Sequence, residues 1–157
     1  MSLLAHPNLP QVLATVGLSA CLLAIAVIDL RSLRIPDALS LPLIGFGLLW
    51  SVARSAPALS DALIGAAVGF GLLALIGEVY FRRNGTEGLG LGDAKLFAAA
   101  GAWLGWQALP VVLLIAASAG LIFALVRQRI AAERRIAFGP WLALALWLVW
   151  IWRAVMP

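Results

Sequence analysis

Cys21-Leu22-Leu23-Ala24-Ile25-Ala26-Val27-Ile28 is an unbroken apolar run, and it ends on an acid, Asp29. A helix that crosses a bilayer needs about 20 mostly apolar residues. Extending this run in both directions, and reading the rest of the chain the same way, gives six candidate spans. They lie at roughly 10–28, 38–53, 62–81, 94–106, 108–126 and 138–156. The fourth is short and starts at a charged loop, so it is expected to be extended, tilted or broken. The fold class that follows is all-α: a polytopic membrane helix bundle of about six transmembrane helices, in a single domain over residues 1–157.

Composition points the same way. Apolar residues make up 64% of the 157 and charged residues 11%, with a mean hydropathy of +1.05. Soluble domains carry about 25% charged residues. The balance excludes a disordered tail, a coiled coil, a disulfide scaffold and nearly every soluble enzyme. Cys21 is the single cysteine, so the chain holds no cysteine pair for an internal disulfide or a zinc site. No metal and no cofactor are expected. The first span does not read as a cleavable signal peptide, because its positive charges, Arg31 and Arg34, follow it instead of preceding it.

The net charge of +4 records topology and does not suggest a nucleic-acid partner. Nine of the eleven Lys and Arg residues fall in the loops after spans one, three and five: Arg31 and Arg34; Arg82, Arg83 and Lys95; Arg127, Arg129, Arg134 and Arg135. Only Arg54 and Arg153 fall on the other side. The positive-inside rule then puts those loops in the cytoplasm and both termini outside. Trp50, Trp103, Trp106, Trp150 and Trp152 lie at the outer ends, where an aromatic belt is expected. Gly65-Ala66-Ala67-Val68-Gly69 and Gly101-Ala102-Trp103-Leu104-Gly105 are small-xxx-small patterns, read as close helix packing.

Seven acids remain to be placed. Asp61 and Asp37 read as helix-start residues, Asp37 as a cap following Pro36. Glu78 reads as an i,i+4 partner of Arg82. Glu133 sits among arginines and reads as a solvated charge. Asp29 and Asp93 stand apart. Both fall at the cytoplasmic ends of spans, where a carboxylate is costly unless it snorkels, pairs or works. They could meet at one depth. Two carboxyls held close share a proton, so one can activate water while the other protonates a carbonyl or leaving amine. The bland alternative is that each pairs with a nearby arginine or the lipid interface.

The segment before Asp93 reads Asn84-Gly85-Thr86-Glu87-Gly88-Leu89-Gly90-Leu91-Gly92. Its glycines resist regular helix and let another backbone approach, as an extended peptide requires. A phosphate loop is excluded because no Gly-Lys-Ser/Thr follows, while a plain linker remains the simpler alternative.

Gly90-Leu91-Gly92-Asp93-Ala94-Lys95-Leu96 matches the G-x-G-D-x-K-L signature of type IV prepilin peptidases, membrane-embedded aspartic proteases. Asp29 with Arg31 and Ile35-Pro36-Asp37 resembles the first aspartate motif of that family. Phe138-Gly139-Pro140 with Leu142-Ala143-Leu144 resembles its C-terminal motif. The resemblance runs in order over roughly residues 20–145. It implies that Asp29 and Asp93 are the catalytic pair, that Gly90 and Gly92 shape the active-site loop, and that the substrates are type IV prepilins or pseudopilins. Their short leader would be cut at the cytoplasmic face of the inner membrane. Glu87, Lys95 and Asp37 are candidate supporting or substrate-contacting residues; Lys95 could instead touch lipid headgroups, and Glu87 could merely keep the loop in water. Longer members carry an N-terminal region with paired cysteines and also methylate the new pilin terminus, so peptidase activity without methyl transfer is the expectation here. The rival readings are a small ion- or proton-coupled transporter and a non-catalytic membrane subunit of a pilus or secretion machine.

Overall fold

A buried central helix organises the bundle. In a computed structural model, which describes residues 9–85, 89–128 and 137–155, six α-helices follow one another: α1 (Leu9–Ser32), α2 (Asp37–Arg54), α3 (Leu59–Asn84), α4 (Leu91–Leu104), α5 (Leu109–Gln128) and α6 (Gly139–Val155). A single 3₁₀ turn, Trp106–Ala108, joins α4 to α5. No strand occurs among the described residues. The chain is an all-α membrane protein.

The six helices fall on the six candidate spans with end shifts of a few residues. Three segments are long and apolar enough to cross a membrane: Leu9–Ser32, Leu59–Asn84 and Trp106–Val126. The fourth expected span is corrected in kind. With 14 residues α4 reaches only about 21 Å, short of a hydrocarbon core of about 30 Å. Every residue from Leu96 to Leu104 is buried. It is a core helix encased by α2, α3 and α6, and its length is not matched to lipid.

The outer helices show the inverse pattern. On α1 only Leu18, Leu22, Ile25 and Asp29 are buried, a stripe at helical spacing, while Leu13, Val16, Leu23 and Leu30 are exposed. An apolar exposed face suits a helix that meets lipid tails. Close packing inside the bundle depends on small residues, as the sequence suggested. A methyl group added at Gly65 would lie 2.6 Å from the Gly101 carbonyl oxygen, and one at Gly69 would lie 2.7 Å from that of Phe97. The α3 and α4 backbones therefore touch at two glycines one turn apart. Gly105, the last glycine of the second pattern, has another job. Its φ of +78° ends α4, where its N–H bonds the Gly101 carbonyl.

Polar ties hold α6 to α1. Trp147 Nε1 donates to Ser19 Oγ at 2.9 Å, and Trp150 Nε1 to Thr15 Oγ1 at 3.0 Å. Trp50, Trp103 and Trp150, expected in an aromatic belt, meet inside the bundle. They pack on one another with centroids 5.2–6.3 Å apart, and Trp103 donates to the Leu43 carbonyl. Trp103 and Trp150 are buried, whereas Trp106 and Trp152 stay exposed.

The two acids expected at helix starts do lie in first turns, but neither caps its helix. Ala58 precedes α3 with no side-chain cap, and Asp61 in the first turn accepts hydrogen bonds from Trp106 Nε1 and Gln107 Nε2. That joins the start of α3 to the 3₁₀ turn. Asp37 is not a cap either: Pro36 holds the cap position without a side-chain bond. Glu78 pairs with Arg82 at 2.6 Å, as its spacing predicted. Glu133, with the arginines around it, lies outside the described residues.

Candidate active site

Asp29 continues the buried stripe of α1 one turn past Ile25, so the face that packs the core also carries the acid inward. It is 5% exposed. A buried carboxylate needs hydrogen-bond donors, and Asp29 Oδ2 accepts one from the backbone N–H of Gly139 at 3.1 Å. That N–H belongs to the first residue of α6 and has no partner within its own helix.

Asp93 occupies the first turn of α4. Its N–H donates to the Gly90 carbonyl at 3.1 Å, and its Oδ2 accepts from the Gly90 N–H at 3.3 Å. This is half of a capping box, with the side chain folded back on the residue before the helix. Its other oxygen, Oδ1, is buried and has no hydrogen-bond partner among the described residues. Such an atom in a native site calls for an explanation. The position of Gly139 abuts both Asp29 and Ile35, and that of Gly92, next to Asp93, abuts Ile35 as well, so the two carboxyls share one end of the bundle.

A short turn brings them together. Leu33, at φ +53°, ends α1 in a left-handed conformation and bonds its N–H to the Asp29 carbonyl. The chain reverses and inserts Ile35, which is buried. A methyl at Gly92 would lie 2.9 Å from Ile35 Cβ; one at Gly139 would lie 3.0 Å from Ile35 Cδ1 and 2.5 Å from Asp29 Oδ2. Ile35 is thus seated between the glycine before Asp93 and the glycine that holds Asp29. Gly92 is needed for close approach, and Gly90 supplies the N–H that orients Asp93.

Lys95 and Asp37, both candidates from the sequence, meet in an ion pair of 2.5 Å between the first turns of α4 and α2. On a regular helix Lys95 points away from Asp93, as expected, and here it points to α2. Glu87 lies outside the described residues. Gly139 and Ile35 were absent from the candidate residues read from sequence. Their signal was present in Phe138-Gly139-Pro140 and Ile35-Pro36, but a backbone donor and an apolar spacer carry no chemistry that a sequence displays.

A cavity of about 340 Å³ opens beside Gly90, between the last turns of α3 and residues 89–91, with Gly77, Glu78 and Phe81 on its wall.

The sequence profile of the type IV leader peptidase family matches residues 16–125, a range that contains both aspartates. The chain belongs to the type IV leader peptidase family. Among curated relatives, it is 44% identical over 126 residues to a prepilin leader peptidase/N-methyltransferase of Pectobacterium carotovorum subsp. carotovorum, covering 78% of this chain and 45% of that protein. It is 43% identical over 155 residues to the protein of that name from Escherichia coli (strain K12), covering 92% and 68%. With that of Burkholderia pseudomallei (strain K96243) the figures are 46% over 134 residues, 83% and 43%. The chain spans about half the length of most of these leader peptidases. No solved structure matches it.

Proposed function

We propose that this chain is a membrane aspartic endopeptidase that removes the short leader of type IV prepilins or pseudopilins, with Asp29 and Asp93 as its catalytic pair. The observation that carries the reading is the convergence of two acids 64 positions apart in sequence onto one end of the bundle, each oriented by a glycine N–H. One carboxylate takes a proton from water as the water attacks the scissile carbonyl. The other, protonated, donates to that carbonyl oxygen and later a proton passes to the leaving amine. Asp93 Oδ1, buried and without a partner among the described residues, is the acceptor available to the attacking water. The glycines at 90 and 92 leave room for an extended substrate backbone, and the cavity beside Gly90 is where its flanking residues would lie.

In this reading the end that carries Asp29, Asp93 and Lys95 faces the cytoplasm, both termini are periplasmic, and the membrane is the inner membrane. The arginine distribution between loops supports that orientation. A proton-coupled carrier would place its acids near the bilayer midplane; here they sit in the last turn of α1 and the first turn of α4. The test is incubation of the purified full chain in liposomes with a defined prepilin, followed by mass spectrometry. A product cut just ahead of the apolar pilin helix is expected. Intact prepilin after prolonged incubation would refute the assignment.

A further inference from the structure

Two cavities of contrasting chemistry share a wall, the first of them at the end of the bundle opposite the two aspartates. The first, of about 310 Å³, is bordered by Gln11, Arg54, Arg153 and the indoles of Trp50, Trp103 and Trp150. The second, of about 560 Å³, is an apolar groove between α1 and α2, bordered by Leu13, Gly17, Cys21, Pro42, Phe46 and Trp50. Trp50 and Trp103 line both. The groove extends from Ala38 to Ala53 on α2, about 22 Å of helix, enough to traverse one leaflet of about 15 Å.

The cationic cavity is held in place. Arg153 Nη1 donates to the Leu104 carbonyl at the end of α4, and the Arg54 guanidinium lies 5.4 Å over the Trp50 ring. Neither arginine pairs with a carboxylate among the described residues, and no acid lines either cavity. Each guanidinium has five N–H donors, and its planar fork matches phosphate. These are also the two basic residues that depart from the charge bias of the loops. At a membrane boundary, a phosphate-binding head site opening into an alkyl-sized groove fits one class of molecule.

We propose that this end of the protein binds one anionic phospholipid, its phosphate between Arg54 and Arg153 and one acyl chain in the α1–α2 groove. The site is independent of the peptidase reading. Charge complementarity selects the head, and the open space at Gly17, where an added methyl would meet nothing within 4 Å, accommodates the tail.

The experiment is native mass spectrometry of the full chain in mild detergent. It is titrated with phosphatidylglycerol, with phosphatidylcholine of the same acyl chains, and with inorganic phosphate. The wild type should hold one phosphatidylglycerol on the order of tenfold more tightly than phosphatidylcholine, in keeping with two arginines at an interface. Arg54→Gln, and the double variant with Arg153→Gln, should erase that preference; Arg54→Gln alone leaves the Arg153–Leu104 contact in place. Gly17→Leu, which fills the groove without touching either arginine, should weaken phosphatidylglycerol as well. Equal retention of the two lipids would overturn the head site. Competition by inorganic phosphate at lipid-like concentration, or indifference to Gly17→Leu, would overturn the tail site. Displacement of the lipid by an apolar helical peptide that binds the arginine variants equally well would assign the groove to a protein helix instead.

Discussion

Gly139, the first residue of α6, donates its backbone N–H to the carboxylate of Asp29 on α1, across 110 positions of sequence. Any side chain at that position collides with what the glycine serves, since a methyl would fall 2.5 Å from Asp29 Oδ2 and 3.0 Å from Ile35. Gly139→Ala is therefore expected to displace Asp29 and the α1–α2 turn together. A misplacement of about 1 Å in a reacting group can cost about a hundredfold in rate. Prepilin cleavage should fall by about that factor while the protein still accumulates in the membrane, measured as initial rate against protein amount on immunoblots.

Lys95 and Asp37 bridge the first turns of α4 and α2. Asp37 is more than half exposed, so the pair adds no more than about 1 kcal/mol to stability. Its value lies in position, because Lys95 follows Asp93 by two residues and Asp37 follows Ile35 by two. Neutralising either partner should lower kcat severalfold with little change in KM. Reversing both, Asp37→Lys with Lys95→Asp, should restore most of the rate. A lysine that contacts substrate instead would give no rescue.

The glycine contact between α3 and α4 makes a prediction about stability. Gly65→Leu has no room, because the Gly101 backbone already lies where its Cβ would go. Overpacking usually costs about 1–3 kcal/mol, and here backbone must yield, so the upper end or more is expected. The measurement is the denaturant or thermal midpoint of the purified protein in detergent. Gly71→Leu, at a position where a methyl meets nothing, should be near neutral.

The proximity of the carboxyls predicts a bell-shaped dependence of cleavage on pH. In acid both are protonated and no base remains to activate water; in alkali both are ionised and no acid remains to protonate the carbonyl. The rate should rise and then fall as the two titrate as a coupled pair. A flat profile from acid to neutral pH would be inconsistent with a shared proton.

Much of this was legible in the sequence. Hydropathy and length found six helices, and Asp29 stood out as the acid that closes an unbroken apolar run. The aspartate pair and the glycines before Asp93 stood out because charged and flexible residues are conspicuous in an apolar chain. What hydropathy could not distinguish is lipid from protein, since a tail and a leucine are equally apolar. For that reason α4 read as a short span although it is a core helix, and Trp103 and Trp150 read as an interfacial belt although they are buried against Trp50. Asp37 and Asp61 looked like caps because capping is a local pattern; their actual partners, Lys95 and the Trp106–Gln107 turn, are distant in sequence. Gly139 and Ile35 act through a backbone N–H and a shape, which no residue type announces.

The central claim concerns two side chains, and the most direct measurement is cleavage of a defined prepilin by the purified protein and by Asp29→Asn and Asp93→Asn. Asparagine keeps the shape and loses the proton chemistry. The account predicts that each variant folds, enters the membrane as the wild type does, and leaves the leader attached. Normal cleavage by either variant would contradict it.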